Sequence, residues 1–78
     1  MIKEYDRVVL TAPLPKYGLE AGDVGTVVDL YEDGQAFEVE FFAFDGRTVA
    51  VATVEAGQVR PVTGGEITHA RPLGPEVQ

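Results

Sequence analysis

Glycine and proline break this chain into runs too short for a helix of useful length. Nine glycines and five prolines are spread over 78 residues. The apolar runs between them are rich in Val and Phe and fall at Arg7–Leu10, Val24–Tyr31, 36–43 and 48–54. A fifth short run, 59–62, contains Pro61 and reads as an edge or terminal strand, because proline cannot donate to a ladder. The stretch 53–58 has room for one tight 3-10 turn. Five short strands separated by turn signals predict a small all-β barrel or sandwich. The length makes one domain, and an apolar content of 45% is that of a globular chain rather than a disordered one. A domain of about 60 residues buries only roughly 60% of its unfolded surface. Closing the sheet on itself, or packing against a partner, would offset that shortage.

The connections set the expected registers. The first, 11–23, is long and holds Pro13, Pro15, Gly18 and Gly22 with Tyr17 and Leu19 between. Its prolines exclude a central strand and favour an extended excursion. Such a loop either binds something or tucks Leu14 and Leu19 over one end of the core. The second connection centres on Asp33-Gly34, a two-residue hairpin signal because both positions need positive φ. It pairs Leu30 with Phe37 and Val28 with Val39, all on one face. The third connection, 44–47, admits two registers. A two-residue turn pairs Phe41 with Ala50 and Glu40 with Val51. A three-residue loop with Gly46 in a bulge pairs Phe41 with Val49 and Val39 with Val51. The second puts the large apolar groups together, so the expected core is Val9, Val28, Leu30, Phe37, Val39, Phe41, Val49 and Val51. After Val62 the composition changes: 63–78 has three Gly and two Pro and reads as a flexible tail.

Composition excludes several chemistries. With no Cys there is no disulfide framework, thiolate nucleophile, iron–sulfur cluster or cysteine-rich zinc site. With no Ser, neither a serine nor a cysteine triad can be built within the chain. The single His69 lies in the glycine-rich tail with no nucleophile beside it. Asp29, Glu32, Asp33, Glu38 and Glu40 fall on or near one hairpin, but their spacing matches no metal-loop template. They read as a solvated outer face that keeps the sheet soluble. The sequence therefore predicts no enzyme, no cofactor and no metal. Thirteen acidic against six basic side chains leave a net charge of −7. Lys3, Arg7, Lys16, Arg47, Arg60 and Arg71 are dispersed, and phosphate binding needs them clustered. No apolar run approaches the roughly 18 residues of a membrane span, and Met1 to Asp6 is polar, unlike a signal peptide. Cytoplasmic location is the expectation.

Two resemblances bear on the fold. Glu20-Ala-Gly-Asp-Val-Gly-Thr-Val-Val-Asp-Leu30 resembles the opening of KOW and related SH3-like barrels, with Gly22 and Gly25 allowing a sharp turn into a bent strand. It also places Val27 beside Leu30 as inward-facing, through a bulge. The wider run is Met-Ile-Lys-Glu-Tyr-Asp-Arg-Val-Val-Leu, then Pro-Lys-Tyr-Gly-Leu-Glu-Ala-Gly-Asp-Val-Gly-Thr-Val-Val, then Phe-Glu-Val-Glu-Phe, closed by Val-Arg-Pro-Val. It resembles the bacterial domain of unknown function 4926 family. That resemblance implies a five-stranded SH3-like β-barrel over 1–62, followed by a C-terminal tail over 63–78. It implies no established activity and no catalytic residues. Family members are similar in outline to accessory β-barrel domains of larger enzymes, and some are encoded near toxin-like proteins.

The remaining candidates are aromatic. Phe37 and Phe41 point to the core, Phe42 alternates outward, Phe44 sits at a turn and Tyr17 lies in the long loop. Tyr17, Phe42 and Phe44 are the expected protein-binding residues. The alternative for Phe42 is a ring folded over the open end of the barrel or covered by the tail. The expected function is a noncatalytic protein-binding module, an accessory subunit or neutralising partner of a neighbouring protein. Its partner would be another protein or a second copy of itself. The competing expectation, a KOW-like nucleic-acid or ribosome-associated barrel, is opposed by the charge.

Overall fold

In the computed structural model, which describes residues 1–74 and only the backbone of Glu32, strands form where the apolar runs lie. They are β1 (Arg7–Leu10), β2 (Val24–Tyr31), β3 (Ala36–Phe42), β4 (Thr48–Glu55) and β5 (Val59–Pro61). Single 3-10 turns occupy Pro15–Tyr17, Glu32–Gly34 and Ala56–Gln58. The last is the tight turn expected before β5, and Gln58 Oε1 accepts the Glu55 backbone N–H at 2.8 Å to start it.

All five strands join one antiparallel sheet in the order β4-β3-β2-β1-β5. The barrel closure expected from the sequence is absent: β4 and β5 are the two edges and do not pair. β5 spans three residues and ends at Pro61, so its outer edge offers few donors with which to close a ladder.

The first hairpin largely follows expectation. Asp33 and Gly34 both have positive φ, 59° and 73°, and Leu30 pairs with Phe37. The bulge implied by the resemblance of 20–30 lies between Val27 and Asp29 and changes the next pair expected from the turn. Val27, not Val28, faces Val39, so Val27 is fully buried while Val28 is only half-buried. The extra residue bends β2. Leu30, at the far end of the strand, stays 38% exposed.

The second hairpin departs further. The three-residue loop forms: the Gly46 N–H donates to the Ala43 carbonyl at 2.9 Å, the Ala43 N–H to the Arg47 carbonyl at 2.8 Å, and Gly46 has φ 93°. A second irregularity then follows, because Phe42 faces Thr48 but Phe41 faces Ala50, leaving Val49 as the extra residue. The expected pairs Phe41 with Val49 and Val39 with Val51 are thereby replaced by Phe41 with Ala50 and Val39 with Ala52. Side-chain volume explains the shift. Phe37, Val39 and Phe41 crowd one face of β3, and the alanines opposite Val39 and Phe41 leave room for those larger side chains. Valines there would overpack the site.

The core is a cluster of Val8, Leu10, Leu19, Val27, Phe37, Val39, Phe41, Ala52, Val54 and Val59. Burying a Val or Phe side chain contributes about 1.5–3 kcal/mol. Of the expected core, Phe37, Val39 and Phe41 belong to this cluster, and Val49 packs partly against it. Val9 is buried outside it, and Val51 is 44% exposed on the outer face. Gly25 in β2 lies close against β3 side chains: a Cβ there would sit 2.5 Å from Val39 Cγ1 and 2.9 Å from Phe41 Cε2. Among the described residues, no helix is long and apolar enough to cross a membrane.

Candidate functional site

The long connection after β1 is a built loop. Thr11 is tied to the turn before β5, its N–H donating to the Gln58 carbonyl at 2.8 Å and its hydroxyl to the Gly57 carbonyl at 3.1 Å. Leu14 and Leu19 then form an isolated bridge around the Pro15–Tyr17 turn. Gly18, at φ 71°, and Gly22, at φ 97°, make the reversals that a Cβ would strain. Leu19 is buried and Leu14 packs against the core, so the loop does cap one end of it.

Tyr17 is half-buried against the core cluster, with the Lys16 ammonium 5.7 Å from its ring centroid. Phe42 and Phe44 are elsewhere. Alternation along β3 turns Phe42 outward at 50% exposure after buried Phe41, and Phe44 in the loop is 91% exposed. Together with Val49, Val24, Thr26 and Arg7 they line an open groove of about 500 Å³. The structure thus joins Phe42 and Phe44 in one surface, and Tyr17 is not among the residues lining it.

The third side of the groove comes from the tail, through Thr68, His69, Ala70, Arg71 and Leu73. Arg71 holds it there. Its Nε donates to Asp23 Oδ1 at 2.9 Å, and one terminal nitrogen donates to Asp23 Oδ2 at 2.7 Å and to the Gly18 carbonyl at 3.1 Å. The other terminal nitrogen lies 3.6 Å from Glu20 Oε2. The Arg71–Asp23 pair is the most enclosed ion pair among the described residues. Burial pushes the Asp23 carboxyl up, but the Arg71 hydrogen bonds, the Glu20 N–H and the Arg71 charge together outweigh it. The carboxyl therefore ionises below its ordinary value. Sequence reading missed this site, grouping Arg71 with the dispersed basic residues. The available signal was an arginine next to Pro72 and Leu73 in a tail otherwise poor in cations, with Glu20 and Asp23 in a Gly-rich loop.

The acidic hairpin is a hydrogen-bonded outer face. Glu38 Oε1 accepts the Tyr31 hydroxyl at 3.1 Å and the Thr53 hydroxyl at 2.7 Å, and Glu40 Oε2 accepts the Thr48 hydroxyl at 2.7 Å. The Tyr31 hydroxyl is correspondingly harder to ionise, held by its bond to Glu38 and by the charge there. Among the described residues, no group of three or more His, Cys, Asp or Glu is arranged to hold a metal ion.

The family model described as "Domain of unknown function (DUF4926)" matches residues 4–61, and the chain belongs to that family. No curated protein and no solved structure matches it.

Proposed function

We propose that this member of the family is a noncatalytic protein-binding module, an accessory or neutralising partner of another cytoplasmic protein. The observation that carries the reading is the pair Phe42 and Phe44, half and almost fully exposed along one open groove. Exposed aromatic rings beside a concave surface supply large contact area at low entropic cost, which is how binding hot spots are built. The acidic outer face of the β2–β3 hairpin supports the reading in a second way: it speeds encounter with a basic partner more than it tightens the final complex.

The test compares capture of partners from the native organism by the wild type and by the Phe42→Ala, Phe44→Ala double variant, read by mass spectrometry. A partner retained by the wild type and lost from the variant supports the reading, provided the variant keeps its thermal midpoint. If capture is unchanged, or if Phe42→Ala unfolds the protein, Phe42 is not an interface residue.

A further inference from the structure

One wall of the groove is a peptide segment of the chain's own tail. Beyond β5 the described backbone adopts neither strand nor helix, yet it returns to a loop 53 residues earlier in the sequence. The buried cluster ends at Val59 and the family match at residue 61. Between Val62 and Arg71 every residue is exposed. One side-chain ion pair, Arg60 with Glu66 at 2.8 Å, steadies that stretch. The tail is therefore attached through Arg71 and Leu73, the two half-buried residues at its described end.

The socket that receives Arg71 is fixed by the loop and not by the tail. Asp23 Oδ2 accepts the Glu20 backbone N–H at 2.8 Å, and the Asp23 N–H returns to the Glu20 carbonyl at 3.0 Å. Gly18 ends the 3-10 turn with its N–H bonded to the Pro15 carbonyl at 3.1 Å. Carboxylate and carbonyl are thus presented in a fixed geometry that matches a planar guanidinium fork. A lysine ammonium, a point charge on a flexible stem, would satisfy it poorly. Pro72 restricts the backbone after Arg71 toward extended conformations, and Leu73 is half-buried and lines the same groove as Phe42 and Phe44. Arg71 and Leu73 are thus read by socket and groove, with the exposed Pro72 setting the backbone between them.

We propose that the Asp23–Gly18 socket and the adjoining groove bind an extended arginine–proline–apolar segment of a partner protein, and that residues 70–73 occupy this site in cis until such a segment displaces them. The proposal rests on the protein-binding reading and specifies its ligand. The acidic chain suits a partner segment that brings positive charge. A short flexible tether supplies an effective concentration on the order of mM. The tail therefore screens out weak ligands and yields to one presenting the same chemistry with more apolar contact.

The test uses the full chain and a synthetic peptide of its residues 66–74, Glu-Ile-Thr-His-Ala-Arg-Pro-Leu-Gly. Binding is followed by amide NMR shifts at Gly18, Asp23 and Phe42. In the Arg71→Ala protein, whose socket is vacated, the peptide should bind about tenfold tighter than in the wild type, where the tail competes. A peptide carrying Arg71→Lys should lose most of that binding. Adding Asp23→Asn to the Arg71→Ala protein should do the same with the thermal midpoint retained. Equal binding to wild type and Arg71→Ala, or none to a folded Arg71→Ala protein, would overturn the proposal. So would a wild-type dimer that exchanges tails, since the occupant would then be a second copy. A peptide that fails to bind while partner capture still requires Phe42 defeats the socket alone. Specific peptide binding with capture indifferent to Phe42 and Phe44 defeats the broader reading.

Discussion

Gly25 and Asp23 are near neighbours in sequence but serve the protein by unrelated physics. Gly25 is needed for space: its missing Cβ leaves room for Val39 and Phe41, two residues packed in the centre of the core. Gly25→Ala should cost about 1–3 kcal/mol through overpacking. Gly57→Ala, where a Cβ meets nothing within 4 Å, should stay within about 0.5 kcal/mol. Urea denaturation of the two variants checks the contrast. Asp23 acts through charge. Its carboxyl ionises below the ordinary 3.8 when Arg71 is bound, so docking of the tail favours the ionised form. That contribution is complete above the ordinary value and fades as pH falls through the lowered one. The Leu73 methyl signals should therefore hold steady from neutrality down to about pH 5 and move toward free-peptide positions only in stronger acid. Movement centred near neutrality would assign the attachment to another group. Glu66 is likewise lowered, to about 2, by hydrogen bonds from Arg60 and the Thr63 backbone.

At the scale of elements, the β3–β4 hairpin decides what the core contains. The loop alone would place Val49 and Val51 inside; the extra residue at Val49 instead turns Ala50 and Ala52 inward and Val51 out. The two registers predict opposite mutational responses. In the observed one, Ala52→Leu enlarges a fully buried position against Val39 and should cost about 1–3 kcal/mol. Val51→Ala removes a side chain that is 44% exposed and should change stability by less than about 0.5 kcal/mol. Thermal melts of both variants read this directly, and a reversed order would favour the register with Val51 inside. The same hairpin carries the candidate site, since alternation past buried Phe41 puts Phe42 on the groove side of the strand end.

Across the whole molecule, charge is the dominant property. Six basic side chains face thirteen acidic ones, and Arg47, Arg60 and Arg71 each pair with a carboxylate of the chain itself. Little cationic surface is left for a phosphate backbone. At about 150 mM salt, binding to duplex DNA, single-stranded DNA or RNA should be no tighter than the nonspecific range of roughly 10⁻⁴–10⁻⁶ M. A fluorescence titration giving submicromolar, salt-sensitive affinity would contradict this and favour the KOW-like reading.

The sequence by itself determined what depends on neighbours along the chain. Gly and Pro spacing located five strands to within a residue or two, because these residues act on their own backbone. Asp33-Gly34 and Gly46 set their turns for the same reason, since positive φ is a local requirement. The prominence of Phe42 and Phe44 was also legible, from alternation at the end of a strand. The bulge at Val28, with Val27 inward, was already implied by the resemblance of 20–30 to a bent SH3-like strand. Only the tertiary structure decided the one at Val49, which answers to the volume available between β3 and its neighbours rather than to any turn residue. It alone left the sheet open, because closure depends on whether β4 and β5 can meet. And it alone joined Arg71 to Asp23: an ion pair across 48 residues depends on where a loop and the tail arrive in space.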